Sequence, residues 1–223
     1  GRKQGKWEKN HPNGKIAYSG KFINDKPVGE WKRYHDNGTI MAVMNYDTKS
    51  DSCFTKLYSD KGKLTSEGTY IGKNKEGYWK YYTAESKLAA TENYSKGLQN
   101  GISQSYSANG NVIEKTHWKN GKREGIAARM DIDGNLISEM MYKSGKLNGL
   151  TRYYFNNGQT ETEGKYIDDK KDGIWKIYDK TGRLIDEIAY KKGIPKNNEE
   201  LIEQESKRMR LYDEQKGKHI EPE

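Results

Sequence analysis

The chain repeats itself every 24 residues. Gly5, Gly29, Gly77, Gly101, Gly125, Gly149 and Gly173 fall on one grid of that period, with Cys53 in the remaining place. A second grid carries Gly14, Gly38, Gly62, Gly110, Gly134, Gly158 and Gly182, with Ser86 substituting. A third is aromatic: Phe22, Tyr46, Tyr70, Tyr94, Trp118, Tyr142, Tyr166 and Tyr190. Eight units run from about residue 5 to 196 without an insertion. Such a period marks an array in which each unit is one supersecondary element and neighbours supply the missing core.

The composition says which element. Hydrophobic residues are only 32 % of the 223, charged residues are also 32 %, and the mean hydropathy is −1.17. That balance ordinarily marks disorder. Disordered chains are poor in aromatics, yet this one has 17 Tyr, 5 Trp and 24 Gly against 4 Pro. The reading is a thin, aromatic-rich β structure with little conventional core. No apolar run approaches the roughly 18–20 residues of a membrane helix. A single cysteine, Cys53, excludes an internal disulfide framework and a cysteine-rich zinc site. Residue 1 is Gly, which suggests a trimmed or processed chain. This points to the cell envelope or secretion, with the cytoplasm as the alternative.

The first grid glycine is taken as position 1 of the unit. Position 3 is Trp in Trp7, Trp31, Trp79 and Trp175, and position 6 is Tyr in most units. Position 12 is aliphatic in seven of eight units, as in Ile16, Ile40, Leu64 and Val112, with Thr160 the exception. A strand over positions 1–6, a turn, a strand over positions 12–18 and a second turn follow. Asn-Gly between aromatic strands, as at Asn37-Gly38 or Asn157-Gly158, is a hairpin signal because both residues of a type I′ loop need φ > 0. With a two-residue loop, position 4 faces position 15. Lys56 then meets Glu67, Arg152 meets Glu163, and Lys176 meets Glu187. Such pairs contribute a few tenths to about 1 kcal/mol each. A bulged three-residue loop is the alternative. The same register sets Trp7 opposite Gly20, Trp31 opposite Met44 and Ala127 opposite Met140.

A lone hairpin is too small to be stable, so hairpins must stack edge to edge. The fold expected is all-β: an elongated meander of eight β-hairpin repeats, about 16 antiparallel strands, over residues 5–196. Residues 197–223 form a separate tail. Asn197 and Glu200 give a capping-box-like start, and Leu201, Ile202, Met209 and Tyr212 give an apolar stripe. A helix over about 198–215 is predicted, capping the last strand edge.

These residues resemble the MORN-repeat variant of YwqK-family antitoxins. One matching stretch is Tyr142, Gly145, Gly149, Tyr153, Tyr154, Asn157 and Gly158; another is Phe22, Gly29, Trp31, Tyr34, Asn37 and Gly38. The resemblance covers residues 5–196 and implies a repeat scaffold that binds protein, with toxin neutralisation as one version. The acidic Tyr-x-Gly-Glu/Asp-Trp signature of eukaryotic MORN repeats is not reproduced.

Catalysis needs unlike groups that converge. His11 and His35 share the turn position, His117 stands alone in a strand, and His219 lies in the tail. Cys53 replaces a grid glycine and carries no nucleophile signature. Glycine runs such as Gly145 to Gly149 recur in every unit and read as turns, not as phosphate cradles. Neither an enzyme nor a cofactor, metal or small-molecule substrate is expected. The net charge of +8 and the row Lys32, Lys56, Lys80, Arg152 and Lys176 raise a single-strand nucleic-acid reading. The glutamates opposite three of those cations count against it. An acidic protein or an anionic membrane surface suits the same charge.

The grid fails at one conspicuous place. Trp at position 3 becomes Ser103, Ala127 and Thr151 in consecutive units, flanked by Trp79 and Trp175. Lost rings leave a shallow trough, and Met130, Met140 and Met141 supply adaptable apolar surface nearby. Residues 101–172 are the expected partner-binding surface, with Trp79, Ser103, Ala127, Met130, Met140, Thr151 and Trp175 as its candidates. The plainer alternative is that Met140 fills the space left by Trp. The expected function is a non-enzymatic protein-binding scaffold, acting on a toxin by steric occlusion. The alternative is an envelope or surface adhesion scaffold for glycan, lipid or host protein.

Overall fold

The computed structural model describes residues 1–196, 203 and 205–210. It divides into two compact units, residues 1–122 and 123–223. The first unit holds β1 (Gly5–Asn10), β2 (Ile16–Ile23), β3 (Lys26–Tyr34), β4 (Ile40–Tyr46), β5 (Ser52–Tyr58) and β6 (Leu64–Ile71). It continues through β7 (Asn74–Tyr82), β8 (Leu88–Ser95), the short β9 (Leu98–Gln99), β10 (Gly101–Tyr106) and β11 (Val112–Lys119). In the second unit β12 (Lys122–Met130), β13 (Leu136–Lys143), β14 (Lys146–Tyr154) and β15 (Thr160–Ile167) follow one another. β16 (Lys170–Tyr178), β17 (Leu184–Lys191) and the short β18 (Ile194–Pro195) complete it. Each unit is an antiparallel meander in which successive strands pair, as expected, except that β10 pairs with β8 beyond the short β9. Residues 203 and 205–210 are helical; the rest of the helix expected over 198–215 lies outside the described residues. Among the described residues no helix is long and apolar enough to cross a membrane.

The charge-derived register holds. Lys56 faces Glu67, Arg152 faces Glu163, Lys176 faces Glu187, Trp7 faces Gly20, and Ala127 faces Met140. The loop that produces it differs from the two-residue reading. The N–H of position 7 donates to the carbonyl of position 11, and that of position 10 donates to position 7, as at His35–Thr39 and Gly38–His35. This is a three-residue loop, with Gly38 at φ +92 as its left-handed residue. A one-residue bulge at position 13 (Met41 between Tyr34↔Ile40 and Arg33↔Ala42) then restores the pairing. Two single-residue shifts cancel. The type I′ geometry lies at the other end of the strands, where Asn24-Asp25 and Ser144-Gly145 both have φ > 0.

Asn at position 9 therefore serves a different purpose. Asn37 accepts the Thr39 N–H at 2.8 Å and donates to the carbonyl of Asp60, in the next hairpin's turn, at 2.9 Å. Asn13 and Asn157 do the same towards Asp36 and Lys180. The side chain ties neighbouring turns together, a link its own loop does not require.

The glycine of position 1 creates a second bulge, between units. Gly29, Glu30 and Trp31 stand against the single residue Gly20, and the same occurs at Gly68 and Gly164. Trp31 then lies on Gly20, Trp79 on Gly68 and Trp175 on Gly164, where no Cβ would fit. Each indole N–H donates to the next carbonyl, Lys21, Thr69 or Lys165, at 3.0–3.2 Å. Each ring also meets an aromatic edge: Phe22 at 4.8 Å, Tyr70 at 4.9 Å and Tyr166 at 5.1 Å between centroids. These buried tryptophans make the core of a single layer. At Cys53 the left-handed conformation is absent, and β4 and β5 pair without a shift, Tyr46 directly against Cys53.

Candidate protein-binding face

Side chains alternate between the two faces of a strand. Positions 1, 3, 5, 14, 16 and 18 form the tryptophan face; positions 2, 4, 6, 15 and 17 form the other. On that other face the repeat builds a polar ladder. Tyr82 Oη donates to Glu67 at 2.7 Å, with Lys56 and Lys80 at 3.6 and 3.7 Å from the same carboxylate. The Tyr82 hydroxyl, then the two lysines, hold Glu67 below its ordinary pKa. In the second unit Arg152 bonds Glu163 at 2.9 Å and Tyr178 donates to it at 3.0 Å, with the same downward effect, the arginine foremost.

At β12 the ladder gives way. Position 4 is Ala128 and position 6 is Met130, so the cation and the tyrosine are lost together. Position 2 is Ile126, 44 % exposed, and its cross-strand partner Met141 is 39 % exposed. Met130 faces Leu136. Met141 lies over Gly149, where a Cβ would stand 2.7 Å from its sulfur, so glycine lets the thioether lie flat. Glu139, opposite Ala128, accepts the Tyr154 hydroxyl at 2.7 Å. Burial and that bond push the Tyr154 pKa up to about 12. The result is an apolar patch, Ile126, Ala128, Met130, Leu136 and Met141, bordered by Glu139, Arg152 and Tyr154.

The residues singled out from sequence divide differently. Trp79 and Ser103 lie in the first unit; Ala127, Met130, Met140, Thr151 and Trp175 lie in the second. Trp79, Ala127, Thr151 and Trp175 are buried. Ser103 accepts the indole N–H of Trp118 at 2.8 Å. Met140 stands between Ala127 and Thr151 in register, and Tyr142 Oη donates to its sulfur at 3.9 Å. Methionine thus occupies the space between the two small residues. Ser138 and Thr151 keep buried hydroxyls without a hydrogen-bond partner. Met130 points to the opposite face from Ala127, being three residues along one strand.

Thr55 is a further small residue at position 3 that the sequence reading passed over. A groove of about 930 Å³ lies there in the first unit, lined by Arg33, Met44, Tyr46, Cys53, Thr55 and Tyr70 among others. Burial raises the Cys53 pKa, which leaves it a protonated, inert thiol. Among the described residues no group of three His, Cys, Asp or Glu side chains is placed to hold a metal ion.

Residues 3–24, 27–48, 99–120, 147–168 and 171–192 each match the family model of the MORN repeat variant. These stretches are MORN-variant repeats. The matched windows begin two residues before the position 1 glycine and end in the inter-unit turn. Three further hairpins pair in the same way but fall outside the matches. One contains Cys53, one Ser86, and one Ala127, Ala128 and Met130. The apolar patch therefore sits where the chain departs from the family pattern. No curated protein matches the chain.

Proposed function

We propose that this MORN-variant protein is a non-enzymatic scaffold that binds another protein through the face carrying Ile126, Ala128, Met130 and Met141. One observation carries the reading. At β12 the polar ladder is interrupted at two positions at once, where the half-buried Ala128 and Met130 stand beside the exposed Ile126 and Met141. Methionine-rich surfaces adapt to a partner, and the net charge of +8 favours an acidic one. The finer version is neutralisation of a toxin by steric occlusion: a flat sheet face with no cofactor requirement covers the toxin's working surface.

Nucleic acid is disfavoured because Lys56, Lys80 and Arg152 are already engaged by Glu67 and Glu163. A second reading, surface adhesion to glycan, has one observation of its own. Phe54 and Tyr78 stand exposed at position 2 in the first unit, and exposed rings stack on sugars.

Affinity capture with the wild-type chain and an Ala128→Arg chain as parallel baits tests the leading version. One small acidic protein retained by the first bait and lost from the second supports it. A captured glycan, released by Tyr78→Ser and not by Ala128→Arg, moves the function to adhesion.

A further inference from the structure

A different surface, on the tryptophan face, carries a second site. In the first unit Lys75 at position 23 extends over three rings, with Nζ 4.6 Å from the Trp79 centroid and 4.9 Å from those of Tyr81 and Tyr94. It donates to Tyr81 Oη at 2.6 Å. The cage has its own carboxylate, because position 16 there is Glu92, bonded by the Tyr94 hydroxyl. In the last hairpin Lys171 takes the equivalent place, 4.3 Å from the Trp175 centroid and 4.9 Å from that of Tyr190. Position 16 there is Ile188, so the strand supplies no carboxylate. The C-terminal helical segment does: Lys171 Nζ donates to Glu205 Oε1. A second tie joins Arg208 to Glu161 at 2.8 Å.

The helical segment covers the site it completes. Of the eight aromatic residues at position 18, only Tyr166 and Tyr190 are buried, at 9 % and 3 % exposure. Both lie in the hairpins that the segment's ion pairs reach. Ion pairs of this kind are modest in energy and weaken with salt. An element held so is displaceable by another of the same chemistry.

We propose that Lys171, Trp175 and Tyr190 form a receptor for a carboxylate carried on a helix. The chain's own Glu205 segment fills it as a plug, and a partner's helix that carries the same carboxylate and arginine, three residues apart, takes its place. The site is independent of the Ala128 face, so failure of either leaves the other standing.

The probe is a fluorescent synthetic peptide copying residues 197–215 of this chain. The receptor is the full chain, wild type or with Glu205→Ala and Arg208→Ala. The peptide should bind the double variant at least tenfold more tightly than wild type. A peptide with the Glu205→Ala change should lose at least tenfold. Adding Lys171→Met to the double variant should abolish binding with the far-ultraviolet circular dichroism unchanged. Equal affinity for both receptors, binding indifferent to Glu205 of the peptide, or no binding to either receptor overturns the proposal. A Lys171→Met chain that unfolds leaves the peptide comparison to decide.

Discussion

Trp79 lies against Gly68, eleven residues earlier, with its indole ring in the volume a Cβ would need. Gly20 with Trp31 and Gly164 with Trp175 repeat the pair. Where position 3 is small, the preceding position 16 is larger: Met44 before Thr55, and Met140 before Thr151. Ring and glycine are exchanged for methionine and threonine as a unit. Trp79→Thr should cost about 3–5 kcal/mol, the range for truncating a large buried ring. Gly68→Met alone should also destabilise, by about 1–3 kcal/mol, through overpacking. Combining Gly68→Met with Trp79→Thr should recover part of the summed loss, because the two sites touch. Urea unfolding of the two single variants and the double variant measures this; strict additivity contradicts the pairing.

The position 1 glycine is a backbone requirement. Gly173 has φ +77 and open space where a Cβ would be, so Gly173→Ala meets no clash. Its cost is that of a left-handed residue with a side chain, roughly 1–2 kcal/mol. Cys53, which occupies the same repeat position without a positive φ, should tolerate alanine at lower cost. Thermal melts of Gly173→Ala and Cys53→Ala compare the two, and an equal loss from both argues against the bulge.

Acid should weaken the array through the ladder of the other face. Glu67 and Glu163 both have their pKa lowered, Glu67 mainly by the Tyr82 hydroxyl and Glu163 mainly by Arg152. The unfolded chain binds protons more readily, near the ordinary value of about 4.3. Their contribution is present above that value and is lost as the pH falls through the lowered folded values. The melting temperature should drop as the pH falls below about 4.5. The combined variant Glu67→Gln and Glu163→Gln should flatten that slope. A slope unchanged in the variant places the acid sensitivity elsewhere.

Much of the fold was legible because the period exposes every column at once. The pairing of Lys56 with Glu67 is correct even though the loop beside it is not of the expected type. A three-residue turn and the bulge at position 13 shift the chain in opposite senses, and the side-chain pattern records only their sum. The Asn-Gly signal misled because Asn37 is selected by its bond to Asp60 in the next turn. The site was partly legible. Reading the Trp column alone led to Ala127 and Thr151, which are buried beside Met140. The eleven-residue spacing between Gly164 and Trp175 carries the signal that small residues there are paired with larger ones. Alternation along β12 carries the other: Ala128 and Met130 depart from the pattern together, on the face that stays exposed.

Ala127 and Ala128 are neighbours that point to opposite faces of β12, which makes them the most direct test. A captured partner should be titrated against the wild type, Ala127→Arg and Ala128→Arg, with the melting temperature of each recorded. Binding through the Ile126–Met141 face predicts that Ala128→Arg lowers affinity at least tenfold while melting within about 2 °C of the wild type, as a surface substitution does. Ala127→Arg, buried opposite Met140, should instead lower the melting temperature sharply. Full affinity in a folded Ala128→Arg chain contradicts the account.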